Sequence, residues 1–448
     1  MAERKRASAM AVRSPLVFLI ALVILLSLGC AGFSDSGPES VAESEAEPYE
    51  TPKTQTQWLW ITPIVGFYGE DFLVAPYRDH APEAGKIIDY TGGDRAYDGH
   101  GGTDFAVPGF DWQDWQVPVV AVAPGVVIEV VDGYPDRETE KDRDRPDNFI
   151  QIDHGLGREA YYSHFKKDSI LVAKGDRVEA GTRLGFIGSS GNSKWPHVHL
   201  GVMENGETLD PYHGPTSLAE SRWKNQHPYQ TPTHIVDSGF FIESPSLPYP
   251  QERLPEVVRG TPNLRVYFVF VAERAGQVRR YELYDPDGVR VNIWQKTAQK
   301  DYYFSRDWWW TRQISERVGR WEVRVFHGDT LVATNAVHVV EASGAEQTEI
   351  EAVILVDMEP SPARENVPLI CKVRIEPRFG PAQGLRRYQY RWTRNGRDFR
   401  ISTHASRADI LPAGSFAVGD QIGCEVTLLV GEAGSLPVGA SAIVQSAQ

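Results

Sequence analysis

The sequence predicts an all-β chain of several domains, and three observations carry that expectation. Aromatic residues are abundant, with 12 Trp, 18 Tyr and 18 Phe, and they gather with Val and Ile into short runs that suit a pleated surface. Gly, Pro, Asn and Asp punctuate those runs at hairpin spacing, and almost no helical periodicity shows between positions 98 and 212. The chain of 448 residues is too long for one hydrophobic core, which sets an expectation of about three domains. A composition of 41% hydrophobic and 24% charged residues is globular. The formal net charge of -14 argues against a nucleic-acid partner, because counterion release needs a lysine and arginine footprint; solubility is the plain reading.

The first 30 residues read as a signal peptide. Arg4, Lys5, Arg6 and Arg13 precede an apolar run from Leu16 to Leu28, long enough for secretion and shorter than the roughly 20 residues that span a bilayer. Leu26-Ser27-Leu28-Gly29-Cys30 then resembles the lipobox of bacterial lipoproteins, with Ser27 standing where that motif prefers Leu. The resemblance implies lipidation of Cys30 and a membrane anchor, and Ala31 after the cysteine points to the outer membrane and a periplasm-facing protein; an uncleaved anchor, or an ordinary signal peptide with an incidental Cys30, is the alternative. Residues 31–57 are rich in Ser, Glu and Pro and nearly free of large apolar side chains, a composition that predicts a disordered tether.

Residues 58–232 carry the chemistry. Asp98-Gly99-His100-Gly101-Gly102-Thr103-Asp104 sets a histidine and an aspartate four apart, and its glycines point to a loop or strand end where the backbone comes close to whatever those side chains hold. Val117 to Val130 reads as two strands about Pro124-Gly125, and the charged segment from Asp132 to Asn148 as a solvated insert without chemistry. Phe149 to Asp153 resumes the sheet, and Tyr161-Tyr162-Ser163-His164 ends an aromatic strand in a histidine. Gly188-Ser189-Ser190-Gly191-Asn192-Ser193 leads into Trp195-Pro196-His197-Val198-His199-Leu200. As a strand, the latter puts both imidazoles on one face, about 7 Å apart. Two imidazoles and a carboxylate are a common three-ligand set for catalytic zinc, leaving the fourth position for water, whereas a structural site would use four ligands, usually cysteines. His80, His154 and His213 are expected to be structural, and Phe110 to Trp115 is either an aromatic wall of a groove or packing beneath a loop.

H-x-x-x-D, then Y-Y-S-H, then G-x-S-G-N-S followed by H-x-H, in this order and closing on Asn205-Gly206 and Asp210-Pro211, resembles the lysostaphin-type or LytM-type zinc metallopeptidases. The resemblance covers roughly residues 85 to 212. Trp195 and Leu200 replace the small and aromatic flanks usual around H-x-H in that family. The resemblance implies a LytM-type β-sheet or barrel-sandwich domain with one zinc ion held by His100, Asp104 and His199. His164 and His197 would be the catalytic pair, and a zinc-activated water would cut peptide bonds in peptidoglycan cross-links.

Residues 233–262 read as a Pro-rich connector. Leu264 to Val271, the turn at Asp285-Pro286-Asp287-Gly288, and Trp321 to Phe326 predict a β-sandwich over 263–342, where at least one of Trp308, Trp309 and Trp310 must face a surface or interface. In the last module, 350–448, Cys371, Trp392 and Cys424 follow in the order of immunoglobulin-like domains. That resemblance implies a second β-sandwich with a Cys371–Cys424 disulfide under the tryptophan, which leaves Cys30 for another use. Arg386, Arg387, Arg391, Arg394, Arg397 and Arg400 interleave with Tyr388, Tyr390 and Trp392, either as an anion-binding surface or, more simply, as rings inward and arginines outward on a strand leading to the Asn395-Gly396 hairpin. A rival expectation is an envelope binding or regulatory lipoprotein with an inert peptidase fold, its sandwiches engaging a protein partner.

Overall fold

The structure, a computed structural model, describes residues 59–137, 145–229, 232–242, 254, 256–310, 314–341, 353–376, 386–430, 433–434 and 437–446. The signal peptide, Cys30 and the tether at 31–57 therefore lie outside the described residues. Nearly every described element is a strand, and no described helix is long and apolar enough to cross a membrane.

The first module is an antiparallel sheet in the order β1 (Leu73–Val74), β2 (Thr103–Ala106), β9 (His197–Glu204), β6 (Arg158–Ser163), β5 (Phe149–Gly155), β4 (Gly125–Val131), β7 (Arg177–Val178), with β10 (Glu207–Thr208) beside β9. β3 (Pro118–Val120) and β8 (Arg183–Phe186) form a separate pair. Period-2 alternation makes the sheet one-sided: on β9, Val198, Leu200 and Val202 are buried while His197 and His199 stand on the opposite, partly open face. Each such fully buried side chain contributes about 1.5–3 kcal/mol, so a one-residue slip that moved the histidines inward would be heavily disfavoured.

The single α-helix among the described elements, α1 (Phe110–Asp114), is too short to announce itself by periodicity. Phe110, Asp111, Trp112 and Gln113 are buried. This stretch packs instead of walling a groove, and Phe110 meets Trp195 edge to face at 5.6 Å.

Two further modules follow, each made of a three-stranded and a five-stranded sheet sharing one core. Residues 233–262 are not simply a connector. His234–Ile242 is a strand paired antiparallel to Leu264–Glu273, and Glu256–Val258 runs parallel to the end of Thr330–Val340. The prolines that suggested a linker fall after the first of these strands, and Ile235, Val236, Phe240 and Phe241 are buried there. Trp308, Trp309 and Trp310 lie on the strand Tyr302–Trp310, and their side chains are outside the described ones. In the last module Tyr388, Tyr390 and Trp392 are buried along Arg386–Arg394, as simple alternation requires, and Arg391 pairs outward with Asp398 and Glu425. Arg400 departs from the pattern and turns in to Asp409 at 2.8 Å. The Cys371–Cys424 disulfide is formed between the two sheets, and Trp392 is the register partner of Cys424.

Both C-terminal modules pack on the first. Tyr267, Val269 and Val271 share an apolar cluster with Leu73 of β1. Ala408 and Ile410 cluster with Val65 and Val120, and Arg183 on β8 reaches Asp409 at 2.6 Å.

Candidate metal centre and active site

Sheet register builds the centre. β2 and β9 pair so that Asp104 lies directly opposite His199, and β6 pairs with β9 so that Ser163 also faces His199, leaving His164 just past the strand end. His100 enters from the glycine-containing loop before β2. Its backbone is held there because Asp79 accepts N–H bonds from Ala81, Ile88 and Gly99, and the Asp79 N–H donates to the His100 carbonyl.

The resulting distances are short. Asp104 Oδ1 is 2.8 Å from His199 Nδ1 and 3.1 Å from His100 Nε2, and the two histidine nitrogens are 3.1 Å apart. One donor atom from each of these three residues falls within 4.8 Å of the others, a grouping that fits one metal ion. The chemistry of the donors fits as well. His100 Nδ1–H donates to the Tyr77 carbonyl at 2.6 Å, which leaves the Nε2 lone pair free for a metal. Burial would raise the Asp104 carboxyl, but the facing imidazoles, His197 and then His100, hold it well below the carboxylate range, so it is an anionic ligand at neutral pH.

Gly102 completes the cradle. A Cβ there would stand 2.4 Å from the Leu200 carbonyl oxygen and 2.7 Å from His199 Nε2, closer than any real contact. Gly102→Ala is expected to displace His199 and cut zinc content to well below one per chain without replacing a ligand. Elemental analysis of the dialysed protein checks it; full zinc content in the variant would show that the close approach is not needed.

His164 and His197 stand beside this group with ring centroids 4.6 Å apart. His164 adopts a left-handed backbone, φ 67°, and its Nδ1–H donates to the Ser190 carbonyl at 2.8 Å. Burial, then the neighbouring His197 and His199, pushes its pKa down to about 3, so the ring is neutral with an accepting Nε2. His197 Nδ1–H donates to the Trp195 carbonyl at 2.7 Å, and its Nε2 lies 3.5 Å from Asp104 Oδ2. Asp104, His164 and His197 line a cleft of about 640 Å³ together with Tyr97, Lys194 and Trp195 among others.

The three histidines expected to be structural have such partners: His80 with Asp210 at 2.7 Å, His154 with the Pro124 carbonyl at 2.8 Å and His213 with the Leu218 carbonyl at 2.9 Å. Sequence reading missed Tyr97, whose ring lies 4.3 Å from that of His100, and the fastening role of Asp79. It also read the segment up to Asn148 as chemically idle, although the Asp136 carboxylate holds the Ser189 N–H beside the site at 2.8 Å.

Two imidazoles and a carboxylate at one end of a β-sheet, with two more imidazoles alongside, make a group that could hold one metal ion next to two spare imidazoles. Residues 98–211 match the model of Peptidase family M23, and this part of the chain is an M23 domain. Over 124 residues the chain is 31% identical to peptidoglycan DD-endopeptidase ShyA of Vibrio cholerae, covering 27% of this chain and 24% of that one. It is 34% identical over 113 residues to the DD-carboxypeptidase/endopeptidase Mpg of Neisseria meningitidis, covering 25% and 22%. The chain thus spans about a quarter of the length of these curated relatives. Among solved structures, the catalytic domain of lysostaphin from Staphylococcus simulans is 26% identical with a TM-score of 0.20, covering 31% of this chain and 84% of that one.

Proposed function

We propose that the M23 domain is a zinc endopeptidase that hydrolyses peptide bonds in peptidoglycan cross-links. One observation carries the reading: all five side chains the chemistry needs are gathered at one place, His100, Asp104 and His199 as a group of ligand donors and His164 and His197 as spare imidazoles beside it. One relative is a peptidoglycan DD-endopeptidase and another a DD-carboxypeptidase/endopeptidase, which supports the substrate class.

His100, Asp104 and His199 would hold the zinc, which would supply Lewis acidity, lowering the pKa of water to about 7 and polarising a peptide carbonyl. The chain supplies the proton handling. His164, neutral and with Nδ1–H occupied, accepts a proton at Nε2 from the attacking water. His197, its Nδ1–H held by the Trp195 carbonyl, acts as a doubly protonated ring that gives its Nε2 proton to the nitrogen of the breaking peptide bond and is left neutral. Trp195, itself tied by its Nε1–H to the Val107 carbonyl at 2.7 Å, gives the cleft a rigid apolar wall. In this reading the protein works in the bacterial envelope, anchored through a lipidated Cys30.

The test is digestion of purified cell wall by the full chain, with fragments identified by mass spectrometry. Cross-linked dimers are expected to give monomers, a chelator to stop the reaction and added zinc to restore it. Fragments cut only in the glycan, or digestion indifferent to chelator, would refute the reading.

A further inference from the structure

We propose that Asn148, at the end of the charged insert, is the positioning residue that keeps His164 in its working conformation. The activity part of this proposal rests on the endopeptidase reading; the geometric part stands on its own.

Asn148 is fully buried, and its side chain is used on both ends. Oδ1 accepts the Tyr134 N–H at 2.8 Å, while Nδ2 donates to the carbonyls of Tyr134 and Phe165 at 2.9 and 3.0 Å. Its backbone closes the same circle: the carbonyl accepts the Phe165 N–H at 3.1 Å, and the N–H donates to Ser190 Oγ at 3.1 Å. Ser190 Oγ in turn donates to the Phe165 carbonyl at 2.8 Å, and the Ser190 carbonyl is the acceptor of His164 Nδ1–H. Asn148 therefore joins the residue after His164, through its side-chain amide, to the residue that fixes the tautomer of His164, through its backbone N–H. Two carbonyls on one side and an N–H on the other leave a single orientation for the side-chain amide.

That fastening has a strain to hold. His164 sits at φ 67°, a left-handed conformation that a non-glycine residue adopts only when its surroundings impose it. Phe165 is the next link in the chain, and both its N–H and its carbonyl are held by Asn148. Without the amide, Phe165 loses one of its two carbonyl donors and keeps only the backbone bond and the Ser190 hydroxyl, a weaker hold against relaxation of residue 164 toward the extended strand before it. The ring would then swing off the Ser190 carbonyl. No hydrogen bond of the Asn148 side chain goes to His100, Asp104 or His199, so the effect is specific to the proton-handling side of the centre.

The experiment is a double-substitution cycle in the full zinc-loaded chain. Asn148→Ala is expected to lower kcat by about 10- to 100-fold, the usual cost of losing a side chain that orients a working group, with KM unchanged and one zinc per chain retained. In a His164→Ala background the same substitution is expected to cost nothing further, because its target is gone. Histidine-labelled protein gives a second readout, in which the Nδ1–H resonance of His164 is present in the parent and lost in Asn148→Ala. Equal losses in both backgrounds would make Asn148 merely structural and overturn the proposal, as would lost zinc or an unchanged His164 resonance. Should Asn148→Ala not fold, Ser190→Ala breaks the same circle at its other link and is read in the same two ways. If the parent protein cuts no wall at all, the endopeptidase reading falls, and the resonance alone decides the placement of His164.

Discussion

His199→Ala is expected to abolish both zinc binding and wall digestion, whereas His164→Ala should lose digestion alone. The reason lies in the register of β2 and β9. His199 stands opposite Asp104 with Nδ1 at 2.8 Å from its carboxylate, so its loss removes a donor from a set of three and leaves two that hold the ion weakly. His164 lies outside that set, bonded to a backbone carbonyl, and its removal leaves the ligands in place. General acid–base groups contribute about 10²- to 10⁴-fold, so His164→Ala is expected to retain one zinc per chain and lose rate by that factor. Zinc stoichiometry and digestion rate measured on both variants separate the roles. Wild-type digestion by His199→Ala would sink the ligand assignment, and zinc loss in His164→Ala would sink the division of labour.

The centre was legible in the sequence because its residues occupy motifs with a mechanical meaning. H-x-H on a strand fixes two imidazoles on one face, and the glycines after His100 signal a close approach that the Gly102 contact with His199 bears out. The strands were legible for a similar reason: alternation on Phe149–Gly155, His197–Glu204 and Arg386–Arg394 matches their burial. Backbone partners were not legible. Nothing in the letters says that the Tyr77 carbonyl sets the tautomer of His100 or that Ser190 sets that of His164, because a carbonyl has no residue signature. Asn148 was hidden by its neighbours. A buried amide at the end of a run of charged residues takes on their apparent solvation until the fold shows Tyr134, Phe165 and Ser190 gathered around it. The strand at His234–Ile242 was missed for the converse reason, since the prolines that follow it outweighed its own apolar run.

The packing of the modules also lay beyond the sequence, and it makes Asp409→Ala the substitution with the largest expected effect on stability. Asp409 is fully buried and accepts from Arg183 of the M23 domain at 2.6 Å, and from Arg400, Ser402 and Trp392 of its own module at 2.7 to 2.8 Å. Burial pushes its carboxyl up, but Arg183 and Arg400 outweigh that and hold it well below the carboxylate range. Removing the carboxylate leaves two largely buried guanidiniums facing each other, and breaking a buried pair in this way costs about 3–5 kcal/mol. Arg183→Ala costs less, about 1.5–3 kcal/mol, because Arg400 still compensates the charge. Both losses should appear in denaturant unfolding of the full chain, with Asp409→Ala the larger; equal or negligible shifts would refute the account. The pH dependence has a definite sign. A carboxyl with a depressed folded pKa contributes its stability above the unfolded value of about 3.9, and that contribution fades as pH falls toward the lower folded value. Acid below about pH 4 should therefore loosen the last module from the M23 domain in the parent and have less to loosen in Asp409→Ala. The same contact explains why the M23 domain is best assayed within the whole chain. Cutting after residue 232 would bare Leu73, Val65 and Val120, which now pack against Val269, Ala408 and Ile410, and would strand Arg183 without its carboxylate.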